Sequence, residues 1–180
     1  MKGKVRFQKT ILDFYKAHGR HDLPWRRTHD PYKIYVSELM LQQTQVDRVK
    51  PKYKKFITRF PSVQALARAS QSHIISEWQG LGYNRRALYL KRAATDVVKN
   101  FNGQFPNDAE DLEKLPGVGH YTARAIATFA WGHREVFLET NIRRVYIHFF
   151  FKNKKKIADA DILKMIEKTL PKENIRARPS

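Results

Sequence analysis

Apolar residues recur at helical spacing in short segments along this chain, and each segment is cut off by a cluster of Pro, Gly and small polar residues. The interrupting stretches are DLPWRRTHDP, RFPS, QGLGYN, FNGQFPND, LPGVGH and WGHRE, and almost nowhere between them do apolar and polar residues alternate as in a half-buried strand. The spacing predicts helices over residues 4–18, 35–49, 62–69, 72–79, 86–100, 109–115, 121–131, 141–150 and 160–170. Ser62, Ser72, Asn107 or Asp108, and Asp159 are the candidate N-caps. The expected fold is therefore all-α, about eight to ten short helices joined by loops of the length usual in compact helical domains. No repeat and no low-complexity stretch is visible apart from the basic run FKNKKK at 151–156.

The stretch LPGVGHYTARAIATFAWG, residues 115–132, is the most informative of the boundaries. A short helix, a turn built on Pro116, Gly117 and Gly119, and a second helix make a hairpin whose tip presents backbone amides at a helix N-terminus, which is an anion site. Glycine admits close approach of a phosphate and positive φ, while Pro116 holds the start of the turn. An ordinary helix–helix turn would look the same in isolation.

Charge bears on that choice. Thirty-five Lys and Arg against 17 Asp and Glu leave a net +18. Such a balance favours a polyanionic partner, nucleic acid first and an anionic membrane surface second. With 42% hydrophobic residues in 180, the chain can bury a core. No apolar run is long enough to span a bilayer, and MKGKVRFQKT lacks the apolar stretch of a signal peptide, so an intracellular, cytoplasmic and nucleoid-associated protein is expected. Cysteine is absent, which excludes disulfides, thiolate nucleophiles and Cys-ligated zinc or iron–sulfur clusters. The seven His show no metal-ligand spacing, so His21, His29 and His120 read as surface or DNA-proximal residues.

LPGVGHYTARAIA resembles the helix-hairpin-helix motif of the base-excision DNA glycosylase superfamily that includes endonuclease III. LPWRRTHDPYKIYVSELMLQQTQVDRV (23–49) and GLGYNRRA (80–87) are similar to the signature of MutY-type adenine DNA glycosylases within it. The resemblance runs from about Leu23 to His148. It implies a two-lobed helical fold with a DNA cleft, a central lobe over 25–134 and a second lobe from 1–24 and 135–180. It further implies a hairpin of Gly117, Val118, Gly119 and His120 on the DNA backbone, with a monovalent cation at the carbonyls of Leu115 and Val118.

Cleaving a purine N-glycosidic bond requires a proton for the leaving base and stabilisation of an oxocarbenium-like sugar, so a pair of acidic groups beside a flipped nucleotide suits it. Glu38 lies in an otherwise apolar helix, where desolvation raises a carboxyl pKa. From the residues alone a solvated helix-face Glu is the favoured reading; the resemblance implies that it protonates adenine N7. Glu139, in VFLETNIRRV, stands where the family carries an Asp, with Thr140 and Asn141 after it. The charge is kept and the reach is longer, and capping of the helix that follows is the alternative role.

Tyr121 takes the position at which bifunctional relatives place a Lys nucleophile; a tyrosine forms no Schiff base, so no strong lyase is expected. Gln42, with Gln43 and Thr44 beside it, matches the intercalating glutamine, and Tyr83 the aromatic wedge next to the opposite base. Trp25 and Arg26 match residues of the adenine pocket, though Trp25 and Tyr83 could also be core aromatics. Arg85, Arg86, Arg143, Arg144 and the run 152–156 are expected to attract phosphates.

Most members of the family carry a four-cysteine iron–sulfur loop and many adenine glycosylases a C-terminal domain that reads 8-oxoguanine; this sequence shows neither, and the helix that normally follows the stretch ending at Leu170 is missing too. The second lobe is therefore expected to be incomplete. The sequence as a whole points to a monomeric, cofactor-free glycosylase acting on duplex DNA with adenine opposite guanine or 8-oxoguanine. A thymine glycosylase for T:G mismatches and a catalytically silent lesion-binding protein are the alternatives.

Overall fold

The computed structural model describes residues 2–152 and 156–171 of the chain. Residues 153–155, within the basic run, and 172–180, in the tail PKENIRARPS, lie outside the described residues. The fold is all-α, and no strand occurs among the described residues. Its helices are α1 (Lys2–His18), α2 (Pro31–Leu41), α3 (Val46–Arg59), α4 (Val63–Arg68), α5 (Gln71–Trp78), α6 (Arg85–Asn100), α7 (Ala109–Glu113), α8 (His120–Trp131), α9 (Thr140–Phe150) and α10 (Asp159–Thr169), with a 3-10 turn at Pro24–Arg26. Among the described residues no helix is long and apolar enough to cross a membrane. The chain divides into two compact units, 22–131 and the remainder, against expected boundaries at 25 and 134.

The 22–131 unit is built around α2. Asp30 caps this helix by accepting from the Tyr32 amide at 2.9 Å, and Pro31 supplies the preset φ of a first helical residue. Tyr32, Ile34, Tyr35, Val36, Leu39 and Met40 are all buried, so the helix is apolar nearly all round, as a central helix must be. It packs on α3, α6 and α8, while α6 also carries α4 and α5, and α7 folds back on α8. The core that results includes Phe56, Phe60, Trp78, Leu90, Leu112 and Ile126.

Three local expectations need correction. The helix predicted over 35–49 is two helices: α2 stops at Leu41 and α3 starts at Val46, with Gln43 between them at φ 52°. LQQTQ contains no Gly or Pro to announce that break. Conversely, α3 continues to Arg59 straight through Pro51, because Val49, Tyr53 and Phe56 form a buried stripe that outweighs one missing amide. Ser62 and Asp108 cap α4 and α7 as expected, but α5 is capped by Ser70 rather than Ser72, and α10 follows Ala158 with Asp159 inside its first turn.

The other unit joins α1, α9 and α10 around Phe7, Tyr146, Phe151, Ile162 and Ile166. Phe7 meets Tyr146 and Phe150 with ring centroids 5.1 and 4.9 Å apart. The Gln8 amide donates to the Thr169 carbonyl at 2.6 Å, tying α1 to the end of α10.

Candidate active site

Glu38 sits in the middle of α2, half-buried, with buried Val36, Ser37, Leu39 and Met40 around it in sequence. Burial pushes its carboxyl up to about 7. Among the described residues no group donates a hydrogen bond to it, and so nothing opposes the desolvation. A carboxyl of this kind holds its proton close to neutral pH, which is what a general acid requires.

One turn further on, α2 ends and the chain turns sharply through Gln42, Gln43 and Thr44. Gln42 and Gln43 are exposed, and Tyr83 is 64% exposed at φ 47°, facing the same open depression of about 660 Å³. Two non-glycine residues in the left-handed region at one depression mark a site where backbone strain is tolerated. Trp25 and Arg26 occupy the 3-10 turn; Trp25 is buried edge-on against Tyr53 at 5.2 Å, and Arg26 is exposed.

Arg86, expected among the phosphate contacts, is 7% exposed. Its guanidinium donates to the carbonyls of Leu39, Met40 and Gln42 and, on its other arm, to Thr44 Oγ1 and the carbonyls of Leu81 and Gly82. The neighbouring Arg85 is the exposed one.

The hairpin follows α7. Leu115 N–H bonds to Leu112, Val118 N–H closes the turn on the Leu115 carbonyl at 3.0 Å, and Ala123 N–H makes the first bond of α8, to Gly119. The amides of Gly119 and His120 stand ahead of that bond, at the positive end of the α8 dipole. Only Gly117 takes positive φ, at 78°, and a Cβ there would lie 2.6 Å from Tyr89 Cβ; at Gly119 a Cβ would meet nothing within 4 Å. Tyr35, buried in α2, donates its hydroxyl to the Pro116 carbonyl at 3.2 Å and so fixes the hairpin against the central helix. At the rim, Glu113 Oε2 lies 3.3 Å from Arg124 and 3.4 Å from His120 Nδ1, and Arg124 donates to that same nitrogen at 2.8 Å. Tyr121, second in α8, is exposed.

In the other unit, Glu139 is the N-cap of α9. One carboxylate oxygen accepts from Ile142 N–H at 2.9 Å and the other from Asn141 Nδ2 at 3.3 Å. Arg143 pairs with Asp159 at 2.8 Å, while Arg144 and Asn141 are exposed.

The tether from Tyr35, the Glu113–Arg124 pair and the Tyr89 ring behind Gly117 were not foreseen. A tyrosine inside an apolar helix does signal a buried hydroxyl in need of a partner; the other two carry no local signal.

One compact unit thus carries a helical hairpin with backbone amides at the N-terminus of α8, a desolvated carboxyl, and a strained, exposed turn just beyond that carboxyl. Residues 36–172 match the family described as HhH-GPD superfamily base excision DNA repair protein, and this chain belongs to it. It is 42% identical over 164 residues to the adenine DNA glycosylase of Buchnera aphidicola subsp. Baizongia pistaciae, covering 91% of this chain and 46% of that protein. It is 39% identical over 159 residues to the thymine/uracil-DNA glycosylase of Pyrobaculum aerophilum, covering 87% and 69%. Among solved structures, that of a thermostable thymine-DNA glycosylase superposes with a TM-score of 0.83 at 31% identity, covering 94% of this chain and 79% of that one. The chain thus spans less than half the length of the Buchnera relative.

Proposed function

We propose that this chain is a monofunctional DNA glycosylase that hydrolyses the N-glycosidic bond of adenine mispaired with 8-oxoguanine or guanine, leaving an abasic site for base excision repair. The observation that carries the reading is Glu38: a carboxyl raised to about 7, with no donor among the described residues, one turn before the strained Gln42–Thr44 segment. With the adenine flipped out, Glu38 gives its proton to N7 and the bonding pair leaves with the base. The Glu139 carboxylate stabilises the oxocarbenium sugar. A water then adds at the anomeric carbon and its proton passes to the Glu38 carboxylate, which restores the acid and completes hydrolysis. Tyr121 offers no amine, so the abasic product is released with its strand intact.

Gln42, Gln43 and Thr44 on one side, and Tyr83 on the other, fill the space the base vacates, while Trp25 and Arg26 border its pocket. The hairpin amides of Gly117 to His120 hold the backbone, and the carbonyls of Leu115 and Val118 offer hard oxygen donors to a monovalent cation. The partner is duplex DNA, bound by a monomer. Adenine glycosylases predominate among the named relatives, which supports adenine as the base. The thymine/uracil and thymine glycosylase relatives favour T:G as a second reading, since the chain covers more of each.

Single-turnover cleavage of labelled duplexes carrying A:8-oxoguanine, A:G, T:G and A:T, developed with alkali, separates these readings. Cutting of A opposite the guanines alone supports the proposal. Cutting of T:G alone transfers the same chemistry to thymine, and lesion binding without any cutting identifies a silent binder.

Two expected results follow for the acids. The excision rate constant is highest with Glu38 protonated, so it is flat below about pH 6 and falls tenfold per unit above about pH 7. A profile that rises through pH 7 would assign Glu38 the role of base instead. Glu139→Asn keeps a capping side chain and deletes the charge; the unfolding free energy should hold within about 1 kcal/mol of wild type while excision falls about 10²-fold. Unchanged excision would reduce Glu139 to a helix cap.

A further inference from the structure

Arg86 is a buried cation with no carboxylate paired to it among the described residues. Its charge is met by carbonyl dipoles, two of them in the last turn of α2, where the helix dipole is negative and carbonyls lack intrahelical partners. The two arms of the guanidinium reach different chain segments. Nη1 donates to Leu39, Met40 and Gln42 at 2.7, 3.1 and 2.6 Å; Nη2 donates to Thr44 Oγ1, Leu81 and Gly82 at 3.1, 3.2 and 3.1 Å. The guanidinium carbon lies over the rings of Trp78 and Tyr83, 5.4 Å from each centroid.

Both segments are held in conformations that side chains avoid. Gln43 has φ 52° and Tyr83 φ 47°, and such residues persist only where the surroundings over-determine them. The side chains so displayed, Gln42, Gln43 and Tyr83, line the one depression together with Asn84, Arg85 and Tyr89, and Arg86 itself, 7% exposed, lies at its floor. A planar fork with donors on two edges suits this bridging task; a lysine ammonium, a single point with three donors, does not reach both edges.

We propose that Arg86 is a positioning residue: its guanidinium touches no nucleic acid, and it locks the 42–44 and 81–83 turns together so that Gln42 and Tyr83 are presented as an aligned pair to the duplex. The inference rests on the glycosylase reading for what the pair does, but the locking itself belongs to the protein alone.

The test compares wild type with Arg86→Lys and Arg86→Met in three measurements. Amide hydrogen exchange of the free protein should quicken at least tenfold at 42–44 and 81–83 in both variants. The slope of log K against log salt for undamaged duplex should stay at the wild-type value, whereas loss of a phosphate contact lowers its magnitude by about 0.9. Single-turnover excision at saturating protein should fall about 100-fold in both, with Lys failing to rescue. A slope reduced in Arg86→Met and restored by Lys would make Arg86 a phosphate contact and overturn the proposal, as would unchanged exchange in the two turns. Arg86→Lys keeps the charge and stem, so it carries the test if Arg86→Met does not fold. If wild type cuts none of the four duplexes, the glycosylase reading fails, while exchange and salt slope still decide whether Arg86 locks the turns.

Discussion

Glu38→Gln lowers the single-turnover excision rate by about 10³-fold while leaving affinity for the mismatched duplex within about twofold. The expectation rests on what the substitution removes. Glutamine keeps the size and the carbonyl oxygen of the side chain but has no proton to give at pH 7, and positioned general acids contribute on the order of 10²–10⁴ in rate. Its effect on stability has the opposite sign. Because the folded-state pKa of about 7 lies above the ordinary 4.5, the native protein binds the extra proton between those values, and stability falls as pH rises through that window. The loss amounts to at most about 3 kcal/mol at pH 8, and Glu38→Gln avoids it. Thermal melts at pH 5 and pH 8 should thus show the variant gaining on wild type at the higher pH. A variant that is both inactive and less stable at pH 8 would mean that Glu38 is ionised in the fold and holds a structural contact.

Gly117→Val unfolds or severely destabilises the protein, by about 3 kcal/mol or more. Two causes add. A β-branched residue at φ 78° is strongly disfavoured, and the new Cβ would fall 2.6 Å from Tyr89 Cβ, 2.9 Å from two further atoms of that ring. Tyr89 is held on α6 and cannot swing away as a flexible side chain would. Gly119→Ala is the informative companion. Its φ is not positive and a Cβ there meets open space, so the unfolding free energy should stay within about 0.5 kcal/mol of wild type. If a phosphate approaches the Gly119 and His120 amides, the added methyl stands in its path and duplex affinity drops tenfold or more. Retained affinity in Gly119→Ala would remove the hairpin from the DNA interface. The two glycines therefore separate folding from binding within one turn.

Much of this protein is legible residue by residue. The helical class, the breakers between helices, the caps at Ser62 and Asp108 and the glycine turn after α7 follow from spacing and composition within a few residues. Glu38 is the intermediate case: its apolar neighbours are plain in the sequence, but a solvated helix-face Glu fits them too, and the fold decides that it is desolvated. Helix formation and capping are short-range events, with partners three or four positions away, so a linear pattern records them.

What the pattern does not record is decided by contacts between distant positions. The Leu39 carbonyl in the last turn of α2 is met by Arg86, 47 residues away; Gly117 has Tyr89 directly behind it; the hairpin is anchored by a tyrosine hydroxyl 81 residues away. Sequence determined that Arg86 would be charged and Gln43 polar, and both looked like surface residues. Only the tertiary structure decided that one is buried at the end of α2 and the other strained at its edge, because an unpaired helix terminus and a buried cation each need the partner that folding alone brings together.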